Sequence, residues 1–562
     1  MKLNDTQHKA VFDSPGNTLV CASPGSGKTK TLVARAQYKL EKIPHGKSLA
    51  LITYTNAGAD EISARLIVHG RTEVFIGTIH RFCLAYILRP FGWRYQWGQP
   101  RVITYDELLE FTELHVDLGL GDSALDELNK IKKNPAGELD LTVEWTAPTP
   151  LPEVAEIFYD FLRTKKAIDF NEILYRSYKI VTENTFVAAS LASKFYEISV
   201  DEFQDTNFFQ YEILRLVNQQ TGCTFFMVGD EKQRIYRFAG AIENAFQCAE
   251  TDFDTKVEVL TQVYRSTTNI INAYSALFAG HPALVNESEY RNADYRLTFK
   301  EVSEQGYRTT LESYVRRLVE RKIPLSEIAI LTTRWSDALN VSRCLRDQYR
   351  TVGMGALPHK NFNHSTFSLL RSVARFLQQA AIRNLRVVRR NIELHAFESN
   401  ILLDEKQIKQ IANALITRIG QFDRNQSLFE ALVALKNVFN EIFEISHSAF
   451  DEIYSVIDIE EGAKWTLGKY LETLSGLDGI MVNTIHQVKG LEYEVVILYD
   501  MNLGRIPFQQ WNRIGRFHEP LTVENETDGR TLFYVGISRA KKGLIVCYDR
   551  QPSMYIDLIR AF

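Results

Sequence analysis

Two kinds of hydrophobic pattern alternate along this chain. Short unbroken apolar runs rich in Val, Ile and Phe are separated by longer stretches in which apolar residues recur every three or four positions. The first kind reads as strands buried on both faces, the second as helices that cover them. In the first half the strand-like runs are Leu19–Cys21, Leu49–Ile52, Val74–Gly77, Ile198–Val200, Phe225–Val228 and Val257–Leu260, which predict a parallel sheet wrapped by helices. Ile328–Leu331, Ile480–Val482, Val495–Tyr499 and Leu544–Tyr548 predict a second sheet of the same kind. Between Phe91 and Lys166 the strand signal fades into helical spacing and a Pro/Thr-rich loop at Thr146–Pro152. No proline occurs from Asn361 to Asn483, where Phe367, Leu370, Val373 and Phe376, then Leu428, Leu432 and Leu435, fall at helical spacing. The expected architecture is α/β, with two parallel-sheet domains that each carry a mostly helical insertion. The first sheet domain covers 1–92 and 168–258 around an insertion at 93–167. The second covers 259–360 and 471–562 around an insertion at 361–470.

Composition narrows the partners. At 562 residues the chain has room for several folding units of roughly 150 residues, and 45% hydrophobic residues can fill their cores. A formal charge of −4 excludes a binder that works by bulk positive charge, so a nucleic-acid partner would need basic groups concentrated in a groove. The six cysteines (Cys21, Cys83, Cys223, Cys248, Cys344, Cys547) are scattered, with no C-x-x-C pair or His/Cys cluster, as expected of reduced thiols in a cytosolic protein. The polar start and the absence of any apolar run near 18 residues predict a soluble cytoplasmic protein with no membrane partner.

The candidate chemistry begins at Thr18–Thr29 (TLVCASPGSGKT), an apolar run that ends in a loop of small residues followed by a helical pattern. Ala22, Ser23, Pro24, Gly25, Ser26 and Gly27 let successive backbone N–H groups curl round a phosphate. Lys28 then reaches the β/γ-phosphates and Thr29 offers its hydroxyl to Mg²⁺. Ala22 stands where the usual pattern has its first glycine. The second half of an NTPase site is Asp201-Glu202, at the end of the run Phe195–Val200. A strand-end carboxylate can hold the metal while its neighbour polarises the attacking water, so Asp201 is assigned to Mg²⁺ and Glu202 to the base.

From Val200–Asn207 (VDEFQDTN) onward the chain resembles the superfamily 1A helicases, the UvrD/Rep/PcrA group. The likeness continues in that family's order through Leu3, Asn4 and Gln7, Thr53–Asn56 (TYTN), Gly77–His80 (GTIH), Val228–Ala241 (VGDEKQRIYRFAGA), Leu260–Ser266 (LTQVYRS), Thr484–Glu492 (TIHQVKGLE) and Tyr534–Ala540 (YVGISRA). The resemblance implies two RecA-like domains that hydrolyse ATP with Mg²⁺ at their interface and move 3′ to 5′ on single-stranded DNA or a 3′-tailed duplex. It implies roles residue by residue: Gln7 reads adenine, Tyr264 stacks on it and Glu492 meets the ribose. Gln233 senses the γ-phosphate, and Arg265 and Arg539 supply the cations that hydrolysis needs. Tyr54, His80, Tyr236 and Phe238 are implied stacking residues, with Thr53, Asn56, Arg334, Thr484 and His486 as phosphate and sugar contacts.

The chain also departs from the family. Ala57 and Ala239 stand where a lysine and an arginine are usual, Phe238 where tryptophan is usual, and Val263 where asparagine is usual. Two cations expected near the strand are thereby lost, with Arg234 and Arg237 as candidate replacements. Arg383, Arg386 and Arg390 fall on one helix face, next to Arg389, within an insertion shorter than in the large family helicases. That face reads either as a solvated surface or as a contact to phosphate or an acidic partner. The short insertion and the missing cations also motivate a second functional reading, a regulatory ATPase that senses nucleotide or DNA and controls a partner enzyme. This reading resembles the helicase-like subunit of Gabija antiphage systems, which works beside an OLD-family nuclease.

Overall fold

The computed structural model describes residues 3–68, 74–95, 101–121, 124–237, 240–293, 295–303, 306–359, 364–509, 519–549 and 551–562. The first sheet is built from β1 (Thr18–Ala22), β2 (Ser48–Thr53), β3 (Val74–Thr78), β4 (Phe195–Val200), β5 (Thr224–Gly229) and β6 (Lys256–Leu260). All its pairings are parallel, in the order β3-β2-β4-β5-β1-β6. Every residue of β2 is buried, whereas edge strand β6 exposes three of its five, which is why the interior strands show as continuous apolar runs. Helix α1 (Asp5–Phe12) precedes β1, the phosphate loop leads from β1 into helix α2 (Lys28–Lys42), and β2 leads into helix α3 (Asn56–Arg65).

The second sheet has the order β7-β12-β11-β8-β10-β9, again all parallel. Its strands are β7 (Thr298–Glu301), β8 (Ile328–Thr332), β9 (Thr351–Gly353), β10 (Ile480–Thr484), β11 (Tyr493–Leu498) and β12 (Ala540–Tyr548). The sequence reading misses β7 and β9. Both are edge strands, and β7 (TFKE) is largely exposed, so it has no apolar run to announce it and becomes a strand by pairing with β12.

Each insertion has a helical core of its own. The first packs Phe111, Phe158 and Leu162 and is closed at its base by a short parallel pair, Arg101–Val102 with Ala167–Ile168. The second packs Phe367, Leu370, Leu432 and Leu435 among its helices. It also reaches back to the first sheet domain, where its helix α4 (Ile382–Glu398) lies against α3.

That contact corrects the expectation for the basic face. Arg383 remains exposed, donating to Gln379 at 3.0 Å. Arg390, however, is buried and ion-paired with Asp60, and also donates to Asn56 at 3.1 Å. Arg386 donates to the carbonyls of Ala64 and Leu66 at 3.3 and 3.2 Å. At Arg386 and Arg390 the face meets α3, which offers an acid on its flank and a set of open carbonyls at its C-terminus.

Candidate functional site

The phosphate loop takes its shape from its small residues. Gly25 and Gly27 adopt positive φ (73° and 87°), and Ser26 closes a turn by donating from its amide and hydroxyl to Ser23 O at 3.2 and 2.7 Å. The second domain lies directly against it. Tyr264 N–H donates to Gly25 O at 2.9 Å, and a Cβ on Gly25 would stand 2.6 Å from Cβ of Arg265. From the other side Gln7, fully buried, donates from Nε2 to Ser26 O at 2.9 Å and accepts Asn4 N–H at 3.1 Å on Oε1. One end of its amide braces the loop and the other closes the cap of its own helix. Asn4 in turn donates to the Tyr264 hydroxyl at 2.7 Å, which leaves that ring 40% exposed beside the loop.

Lys28 sits at the start of α2 with its ammonium buried and without a hydrogen-bond partner among the described residues; its ion pair to Glu202 is long, at 3.9 Å. A buried cation left open in this way fits an anionic ligand such as a triphosphate. Asp201 and Glu202 directly follow β4, with Glu202 N–H donating to the Asp201 carboxylate at 3.0 Å. Burial, and then the neighbouring Glu202, push Asp201 well above the usual carboxylate range, so a cation beside it would be strongly favoured. Burial would raise Glu202 too, but Lys28 and Lys489 outweigh it and hold Glu202 ionised. The buried Asp201 carboxylate is an oxygen donor of the kind Mg²⁺ takes.

The second domain delivers its cations to this point. Arg539 is buried and donates to Gln233 Oε1 at 3.3 Å, to Ser538 Oγ at 2.8 Å and to Leu491 O at 3.2 Å. Burial, and then Arg265, lower it to about 10, so it is charged at neutral pH. Arg265 is paired with Glu492 at 2.6 Å, and Lys541 lies 3.7 Å from the same carboxylate. Gln233 is fixed by donating to Asp230 at 2.8 Å.

Three of the candidate strand-binding residues, Thr53, Tyr54 and His80, line an adjoining cleft of about 290 Å³ together with Asp201, Glu202 and Asp205. Tyr54 and Tyr236 stack with centroids 4.6 Å apart, and Tyr236 OH donates to His486 O at 3.2 Å. His80 packs edge-on to Phe170 at 5.6 Å. Burial lowers both His80 and His486 to about 4, so each ring is neutral at pH 7. Thr484 is buried beside Thr332, Arg334 is exposed, and Asn56 is held by Arg390. Phe238 lies outside the described residues.

Two comparisons decide the family. The UvrD/REP helicase N-terminal domain model matches residues 3–254, and the UvrD-like helicase C-terminal domain model matches residues 368–551. The chain belongs to the UvrD/Rep helicase family. It is similar along nearly its whole length to the ATP-dependent DNA helicase Rep of Escherichia coli (24% identical, covering 100% of this chain and 93% of Rep). It is equally similar to DNA helicase II of Haemophilus influenzae (24%, 98% and 85%) and to the helicase PcrA of Staphylococcus epidermidis (24%, 97% and 83%). As a UvrD-like helicase the chain is an ATP-dependent enzyme, a hydrolase. No described helix is long and apolar enough to cross a membrane.

The sequence reading leaves out one residue central to the site. Lys489 lies inside the block Thr484–Glu492 but carries no role there. In the fold its ammonium donates to Asp205 at 2.5 Å and to Gln233 O at 2.8 Å, lies 3.6 Å from Glu202, and sits 5.3 Å from the Tyr236 ring centre. Its position next to the motif glycine Gly490 is the one signal that could have flagged it. The candidate replacement cations are also placed differently from expectation. Arg237 pairs with Glu524 and Asp528 on the second-domain helix α5 (Val523–Ile537), and Arg234 donates to Ile242 O at 3.0 Å. Both are engaged within the protein because acids and open carbonyls lie within their reach.

Proposed function

We propose that this chain is an ATP-driven translocase on single-stranded DNA, moving 3′ to 5′ and separating a 3′-tailed duplex. One observation carries the reading. Lys489 contacts the carboxylate that would activate water, the backbone of the residue facing the γ-phosphate, and the aromatic pair that would hold a base. A change at the nucleotide thus has a direct path to the strand.

Bound Mg²⁺, held by Thr29 and Asp201, would supply charge at the β- and γ-phosphate oxygens. Lys28 binds the same phosphates from the loop. Glu202, ionised, would orient the attacking water and take its proton. Arg265 and Arg539 stabilise the charge that builds as the γ-phosphoryl leaves, and since both come from the second domain the site is complete only when the domains meet. Tyr264, held by Asn4, offers a face to adenine. Tyr54 and Tyr236 grip a base by stacking, which reads no sequence and permits stepping.

The test is ATP turnover with and without oligo-dT. The parent should be stimulated by the oligonucleotide, and Lys28→Ala should not turn over at all. A parent indifferent to DNA would overturn the translocase reading. Polarity follows from strand displacement on 3′-tailed against 5′-tailed duplexes. No observation favours the alternative of a regulatory subunit beside a nuclease.

A further inference from the structure

The second domain repeats, at the end of β8, a piece of local structure that the first builds at the end of β2. Thr53 Oγ1 donates to Thr55 O at 2.8 Å, and Thr332 Oγ1 donates to Arg334 O at 2.8 Å. In each case the residue whose carbonyl is held caps the next helix, Thr55 before Asn56–Arg65 and Arg334 before Trp335–Leu345. Asn56 and Trp335 therefore occupy equivalent positions at the first turn. Their surroundings differ, since Asn56 is held by Arg390 while Trp335 is 54% exposed.

The end of β8 is tied to the Tyr54–Tyr236 stack at that cleft through a short run of contacts. Thr332 is in register with Thr484, and Ile485 N–H donates to Thr332 O at 2.9 Å. The next residue, His486, accepts the Tyr236 hydroxyl, and Tyr236 stacks on Tyr54. From Tyr54 to Trp335 each step is a ring contact, a hydrogen bond or at most three residues of chain.

We propose that Trp335 is a base-stacking platform that continues the aromatic track onto the second domain, with Arg334 taking a phosphate beside it. An indole offers the broadest π-face of any side chain, and stacking tolerates every base. The assignment rests on the translocase reading and adds to it a contact on the domain that otherwise presents only polar groups to the strand.

The test is the affinity of the parent, Trp335→Ala and Trp335→Phe for a fluorescent oligo-dT of roughly 16 nucleotides, over a range of salt. Trp335→Ala should bind at least about fivefold more weakly, Trp335→Phe should recover most of the loss, and the salt slope should stay that of the parent because no cation is removed. The assignment falls if Trp335→Ala binds like the parent, or if Trp335→Phe is as weak as Trp335→Ala. A parent that fails to bind oligo-dT brings down the translocase reading, and this assignment with it.

Discussion

At the scale of single residues the site works by placing charges in a dry interface. Arg539 is the sharpest case. It is buried, protonated and bonded to Gln233, and under the proposed function its removal takes a cation from where transition-state charge would appear. Arg539→Ala should lower kcat by about 10³–10⁵ with a smaller change in KM, as steady-state turnover would show. Lys489→Ala should act on coupling more than on chemistry. Its DNA stimulation should fall roughly 5–150-fold, corresponding to about 1–3 kcal/mol of coupling, when turnover with and without oligo-dT is compared. His486 gives a pH signature. Burial holds it at about 4, below its unfolded value of about 6.5, so between these values the unfolded chain binds a proton that the folded chain does not. Stability is therefore undiminished above about pH 6.5 and is lost as pH falls, by about 1.4 kcal/mol per unit for that ring. Melting curves from pH 7 to 5 should flatten by that amount in His486→Gln, and an unchanged slope would count against the burial argument.

Among the elements, the contact of α4 with α3 stands out because it joins the second insertion to the motif that follows β2. Arg390 is 5% exposed and Asp60, its acid partner, is half-buried, so removing one side leaves the other charge without its partner in a largely enclosed contact. Asp60→Asn or Arg390→Met alone should cost about 3–5 kcal/mol of docking, whereas the double change to apolar residues should recover much of it. Limited proteolysis of the insertion would read both. The prediction fails if the single variants resist proteolysis as the parent does. Arg81 with Glu393 (3.2 Å) and Arg89 over the Phe397 ring (4.1 Å) extend the same contact.

For the whole molecule, charge sets how DNA is held. The chain carries −4 overall, Ala57 stands exposed where a cation is usual, and Arg234 and Arg237 are occupied elsewhere. Binding should therefore depend on stacking more than on counterion release. Ala57→Lys should tighten oligo-dT binding and steepen the plot of log affinity against log salt by about 1. An unchanged slope would place residue 57 away from the strand.

Much of this protein can be read in its sequence, for a local reason. The interior strands are buried on both faces and so spell continuous apolar runs, and the phosphate loop, Asp201-Glu202 and the aromatic blocks are short segments that carry their own strand-loop-helix signals. These fix the α/β class, the order of the elements and most candidate residues. Only the tertiary structure decided which distant groups meet. Lys489 reaches Asp205, Arg390 reaches Asp60, and Arg237 turns to Glu524. A charged side chain takes whichever partner the packing of remote helices brings within about 4 Å, and nothing in the residues beside it in the chain encodes that choice.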